Sequence, residues 1–179
     1  MITIHKKIQL QPILPTDITH LQKLMWDIYP PAYSHFWEDD GAFYVNNQYS
    51  KENILIELSQ ENAQYYFVVF NNKIIGNFRV VWNEKLTGLP QKKQVKLHRL
   101  YLHPKTQNKG VGKTIVSWLE AQAIFKNYKI VWLDAMHKQE QAFHFYKKRG
   151  YKYHAHIFLD FDLMHAPFRK MNQLYKVLE

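Results

Sequence analysis

Apolar and polar residues alternate along residues 7–14, KIQLQPIL, the pattern of a strand with one buried face. Pro15, Thr16 and Asp17 then read as a helix start, after which Ile18, Leu21, Leu24, Met25 and Ile28 fall on one face of a 3.6-residue repeat. Residues 51–60, KENILIELSQ, predict a second helix. Residues 64–70 and 74–82 predict two buried strands turning through Asn71 and Asn72, a residue type that tolerates left-handed turn geometry. Beyond the loop 83–93, residues 95–102 predict a strand that ends ahead of Pro104. Val111, Ile115, Leu119 and Ala123 recur every fourth position and predict a helix over 111–126, and residues 129–135 predict a buried strand. On a helix over 139–149, Ala142, Phe145, Tyr146 and Arg149 share a face, the last turn is basic and Gly150 caps the end. Residues 151–164 predict a closing strand, and residues 29–47 carry no clear period. Hairpins mixed with strand-helix-strand crossovers predict an α+β fold, a mixed sheet with helices on both faces.

With 179 residues, 46% of them apolar, and no repeat or Gly/Ser linker, the expectation is one domain over residues 1–179. The longest apolar run, residues 65–70, falls far short of the roughly 20 residues that cross a bilayer. The start MITIHKK does not resemble a signal peptide, so a soluble, cytoplasmic protein with no membrane partner is expected. The absence of cysteine excludes disulfides, thiolate metal sites and a cysteine nucleophile, and no metal site is expected. A net charge of +9 attracts polyanions, either nucleic acid or a phosphorylated cofactor. The basic residues are dispersed, with no run of five or more like charges, so a nucleic-acid-binding domain is the lesser alternative.

Residues 105–114, KTQNKGVGKT, hold the most specific local chemistry. A Walker loop needs a glycine five residues before Gly112, where Gln107 stands. A dinucleotide fingerprint needs a third glycine three residues beyond it, where Ile115 stands. What remains is Gln-x-x-Gly-x-Gly between a strand and a helix. Free N–H groups of the helix start project there, and two glycines let a bulky anion such as a pyrophosphate approach the backbone; the alternative is a plain tight turn.

The stretch LHRLYLHPKTQNKGVGKTIVSWLEAQA followed by AFHFYKKRGY resembles the GNAT superfamily of acetyl-CoA-dependent N-acetyltransferases over residues 95–153. Gln107, Gly110, Gly112, Ala142, Phe145, Tyr146, Lys148, Gly150 and Tyr151 fill the family's two motifs, while Gln139 replaces its frequent asparagine. The resemblance implies a mostly antiparallel sheet splayed between two parallel strands, here residues 96–102 and 129–134. Pantetheine of acetyl-CoA would lie in the splay on the backbone of Leu100 and Leu102, with Gln139 and Phe145 beside it. The pyrophosphate would sit on the N–H groups of Asn108, Lys109, Gly110, Val111 and Gly112, extending to Lys113 and Thr114. Lys109 and Lys113 either add charge or are simply solvated.

By the same resemblance, acetyl transfer runs directly to a primary amine in a ternary complex, with the backbone N–H near Leu100 or Tyr101 binding the oxyanion. Tyr146, protonated at neutral pH, matches the family's acid for a thiolate whose thiol titrates near ~8.5; otherwise it is helix packing. Period two places Lys96, His98, Leu100 and Leu102 on one face, making His98 a candidate base or water relay, although a strand histidine is often structural and many amines need only water. Acceptor recognition is expected near residues 29–44, where Tyr33, Glu38, Asp39 and Asp40 among aromatic rings would bind a cationic amine or else form an exposed acidic loop. HRLYL, with the aromatic N-terminal half, loosely resembles the polyamine-acetylating branch. A catalytically silent acyl-CoA sensor on the same fold is the alternative, and a homodimer is left open.

Overall fold

The buried runs in the middle of the chain become the central strands. A computed structural model describes residues 1–91 and 93–179. Eight strands form one sheet: β1 (Ile2–His5), β2 (Ile8–Pro12), β3 (Ala63–Phe70), β4 (Lys73–Trp82), β5 (Gln94–Leu102), β6 (Ile130–Met136), β7 (Lys152–Phe158) and β8 (Lys170–Val177), in the order β1-β2-β3-β4-β5-β6-β8-β7. Only β5 and β6 pair in parallel, and the other neighbours are antiparallel. The expected mixed sheet with helices on both faces is present. On one face α4 (Val111–Phe125) and α5 (Glu140–Lys148) pack on Val68, Phe78, Val80 and Leu97; on the other, α1 (Ile18–Tyr33), α2 (Ala42–Gln48) and α3 (Lys51–Ser59) pack on Tyr65 and Phe67. Ile115, Leu119, Leu21, Met25 and Ile54 are fully buried, each contributing about 1.5–3 kcal/mol of apolar transfer. No helix among the described residues is long and apolar enough to cross a membrane.

Several elements differ from the sequence-based expectation, beginning with β1, a strand ahead of the first one expected. The closing strand over 151–164 ends at Phe158, and the chain returns as β8, inserted between β6 and β7. In β8 a polar side chain, Asn172, takes a buried position opposite Ala135 and lies 3.2 Å from His137, which interrupts the apolar alternation. α1 runs through Pro30 and Pro31, because its last turn is closed by Ser34 N–H donating to Pro30 O, beyond the prolines' missing donors. In the apparently patternless stretch 29–47, Asp39 accepts from the N–H groups of Gly41 and Phe43 and so starts α2.

On the α1–α3 face a like-charge pair is buried. Arg79 on β4 and Arg99 on β5 are directly opposed and almost fully inaccessible. Glu57 on α3 makes them compatible: its carboxylate accepts from Arg99 Nη2 at 2.7 Å and Nε at 3.2 Å and lies 3.7 Å from Arg79 Nε. Removing one partner of such a cluster leaves charge unpaired in a dry site. Glu57→Gln is therefore expected to cost about 3–5 kcal/mol and to lower Tm by roughly 10 °C, read by thermal denaturation. Asp160→Ala, which removes a fully exposed carboxylate 4.0 Å from Arg169, is the control and should leave Tm almost unchanged.

Candidate functional site

The parallel ladder between β5 and β6 is short. It runs from Gln94 opposite Ile130 to Leu97 opposite Leu133, after which the strands part. Here β5 carries a bulge: Leu97 pairs with Val80 and Arg99 with Arg79, so His98 has no partner on β4. His103 N–H donates to Ile75 O at 2.7 Å, which fixes the antiparallel alternation. Tyr101 N–H is thus directed to β4, whereas the N–H and C=O of Leu100 and Leu102 point away from β4 into the gap. Of the two oxyanion donors expected from the sequence, the geometry leaves Leu100 free and engages Tyr101 in the sheet.

The bulge also breaks the strict period of two. Leu97, Leu100 and Leu102 face the α4 layer, while Arg99 and Tyr101 face the α1–α3 layer; the expected common face of Lys96, His98, Leu100 and Leu102 does not exist.

A cavity of about 700 Å³ fills the gap beside the start of α4. Leu100, Leu102, Gln107, Asn108, Gly110, Val111, Gly112, Lys113, Gln139, Phe145, Tyr146 and Tyr33 all line it. Lys109 and Thr114 do not; they border a separate hollow with His5 and Lys7, and the Thr114 hydroxyl donates back to Gly110 O at 3.1 Å. The side chain of Tyr101 likewise turns away, its hydroxyl 2.7 Å from that of Tyr44. Gly110 caps α4 at φ 75°, in the left-handed region, and a Cβ there would have no heavy atom within 4 Å. With no side-chain cap on α4, the N–H groups of Val111, Gly112 and Lys113 have no acceptor within the helix, and they form a cradle suited to a phosphate group.

A second cavity, of about 280 Å³, lies on the opposite side of the gap. It shares Tyr33, Leu100, Gln139, Ala142 and Tyr146 with the first. Burial, with Tyr33 nearby, pushes the Tyr146 phenol up although Arg149 opposes it, so Tyr146 stays an O–H donor at neutral pH. Burial raises Tyr33 as well, partly offset by Gln139, which lines both cavities.

His98 lines this second cavity, but its surroundings argue against the expected base. Its Nδ1 is 2.7 Å from Arg79 Nη1, and burial together with Arg99, Arg79 and Lys96 pushes the imidazole pKa down to about 2.

The acidic loop is displaced from expectation too. Asp39 is consumed in capping α2, Glu38 and Asp40 are exposed, and none of the three borders either cavity. The carboxylate that does is Asp134, paired with Lys96 at 2.9 Å. Its signal in the sequence was an acidic residue at the end of an otherwise apolar strand. Tyr29, Phe36 and Tyr44, from the aromatic stretch near which acceptor recognition was expected, complete an aromatic wall with Tyr101 and Phe161.

Residues 19–151 match the family model described as "Acetyltransferase (GNAT) family". The spermidine N(1)-acetyltransferase of Thermoplasma acidophilum is 31% identical over 133 residues, covering 70% of this chain and 71% of the relative. Among solved structures, the PaiA N-acetyltransferase of Thermoplasma acidophilum in complex with coenzyme A has a TM-score of 0.68 at 19% identity, covering 95% of this chain and 98% of that one. The spermidine N-acetyltransferase of Vibrio cholerae in complex with CoA and spermine has a TM-score of 0.66 at 14% identity, covering 97% of each chain. The family model covers most of the chain and places it in the GNAT acetyltransferase family, and the free strand edge and uncapped helix start on one cavity are in keeping with that membership.

Proposed function

We propose that the protein moves the acetyl group of acetyl-CoA directly onto a primary amine within one ternary complex. The observation that carries this reading is the junction: two cavities entering from opposite sides share Tyr33, Leu100, Gln139, Ala142 and Tyr146. A donor in the larger cavity and an amine in the smaller one would meet there with no transfer through a protein side chain, and the chain has no cysteine to carry an acyl group. Acetyl-CoA supplies an activated thioester carbon. The backbone edge at Leu100 and Leu102 aligns the pantetheine amides, and the cradle at Val111, Gly112 and Lys113 holds the pyrophosphate. Leu100 N–H stabilises negative charge on the carbonyl oxygen as the C–N bond forms. Tyr146 O–H gives its proton to sulfur as the C–S bond breaks and recovers one from solvent. Water takes the proton lost by the amine, since the lone pair of His98 Nδ1 is engaged by Arg79 and the ring is a poor proton acceptor. The acceptor is a primary amine; the relatives include spermidine acetyltransferases, which supports an amine without fixing which one.

Calorimetry with acetyl-CoA and a thiol-release assay over an amine panel test the reading; no binding, or binding without turnover on any amine, would refute it. Two variants probe its parts. Gly110→Val forces a branched residue into the left-handed region at the cradle and is expected to weaken acetyl-CoA binding at least tenfold, about 1.4 kcal/mol, with Tm as the control for folding. Tyr146→Phe keeps the ring and removes the proton. Its kcat should fall by at least about tenfold while acetyl-CoA affinity holds; full kcat would make Tyr146 a packing residue, and joint loss of affinity would make it a binding group.

A further inference from the structure

We propose that Arg79 and His98 together give the acceptor cavity a permanent hydrogen-bond donor, His98 Nε2–H, and that the amine accepted there carries a carboxylate or amide oxygen of its own. This rests on the acetyl-transfer reading above. Arg79 Nη1 lies 2.7 Å from His98 Nδ1, and a guanidinium can only donate. Nδ1 must therefore present its lone pair, and the ring proton is confined to Nε2. Arg79 is itself fixed: it is 2% exposed on a central strand, and its Nη2 donates to the Glu57 carbonyl at 3.2 Å and to Gln60 Oε1. The imidazole tautomer is thus dictated by a side chain that cannot turn away.

The charges around the ring keep it neutral. Glu57 Oε1, from α3, is 3.9 Å from Nδ1 and by itself would favour a second proton. Both oxygens of that carboxylate are already held by Arg99. Arg79 from β4 and Lys96 and Arg99 from β5 confront the ring with three cations, against the carboxylates of Glu57 and of Asp134 on β6. Burial acts in the same direction, so His98 does not become an imidazolium at working pH.

The wall of the cavity is correspondingly poor in free acceptors. Asp134 Oδ2 is taken by Lys96 at 2.9 Å and Oδ1 by Gln173 at 3.2 Å. A polyamine, which has nitrogen atoms alone, finds no uncommitted carboxylate there. An amine with an oxygen on the adjacent carbon finds the fixed N–H of His98, and the aromatic and methionine side chains suit an apolar body of amino-acid size in about 280 Å³.

The test compares α-amino acids, their amides and their decarboxylated amines, for example phenylalanine, phenylalaninamide and phenethylamine, alongside spermidine. With the parent enzyme the oxygen-bearing members should have at least tenfold higher kcat/KM than the decarboxylated amine; a decarboxylated amine or spermidine that is equal or better overturns the proposal. His98→Phe should erase the preference and His98→Asn, which keeps an N–H donor, should restore part of it. Preference unchanged in His98→Phe also overturns it. The two acceptor oxygens are separated by the same panel, because an acid preferred over its amide assigns a carboxylate and the reverse assigns a neutral carbonyl. A second readout needs no turnover. In 15N-labelled protein the imidazole signals absent from His98→Asn should show Nε2–H alone and stay constant from about pH 5 to 8, and phenylalanine, unlike phenethylamine, should shift them. An Nδ1–H pattern, a midpoint near ~6.5, or equal or absent shifts overturn the proposal, whereas failure of acetyl-CoA to bind would sink the transferase reading and leave the tautomer result standing.

Discussion

The site depends on β5 leaving β6. Parallel strands normally stay paired along their length, since each unpaired backbone group in a sheet interior loses a hydrogen bond of about 0.5–1.5 kcal/mol net. Here the pairing stops after Leu97 and Leu133, and the bulge at His98 changes which side chains face each layer at the point of departure. The same local event exposes the backbone of Leu100 and Leu102, opens the larger cavity beside α4, and sends Arg99 and Tyr101 into the smaller one. The opened edge leaves the N–H and C=O groups of Leu100 and Leu102 facing the larger cavity, within reach of whatever occupies it.

The opposite side of the sheet has to withstand that opening. Arg79 and Arg99 face each other across β4 and β5 next to the bulge, and Glu57 binds them to α3. Arg99 also stacks over Tyr49 at 4.7 Å and donates to the Tyr44 hydroxyl at 3.3 Å, which in turn meets Tyr101. A chain of polar contacts thus runs from the α3 carboxylate to the aromatic wall. Its charged members, Glu57 and Arg99, are buried and each is held by more than one partner.

Much of the donor side was legible in the sequence, and for a physical reason. An anion cradle made of backbone needs glycines, a helix start and a preceding strand, all of which leave local marks: Gly110, Gly112 and the four-residue stripe from Val111. That Tyr146 lies at the cavities was legible through the helical face it shares with Ala142 and Phe145. The acceptor side left few such marks. Asp134 reaches the cavity because β6 ends there, His98 is re-aimed by a bulge that no period reveals, and Glu38 and Asp39 look like a cationic site until Asp39 is seen to cap α2. β8 was missed because Asn172 occupies a buried place, and β8 carries part of the cavity wall. Features that depend on which distant segments meet are not encoded in any short window.

The family-matched stretch ends at residue 151, yet Ile157, Leu159, Phe161, Met164 and Met171 form one side of the smaller cavity. All five come from β7, β8 and the turn between them, a hairpin added to the far edge of the sheet after the donor seat is complete. Selection can therefore redraw this hairpin, residue by residue or by changes in the length of its turn, without touching a single group of the glycine cradle. The side chains that shape this side of the smaller cavity and the backbone that forms the cradle lie on separate elements, so the geometry of one does not depend on the other.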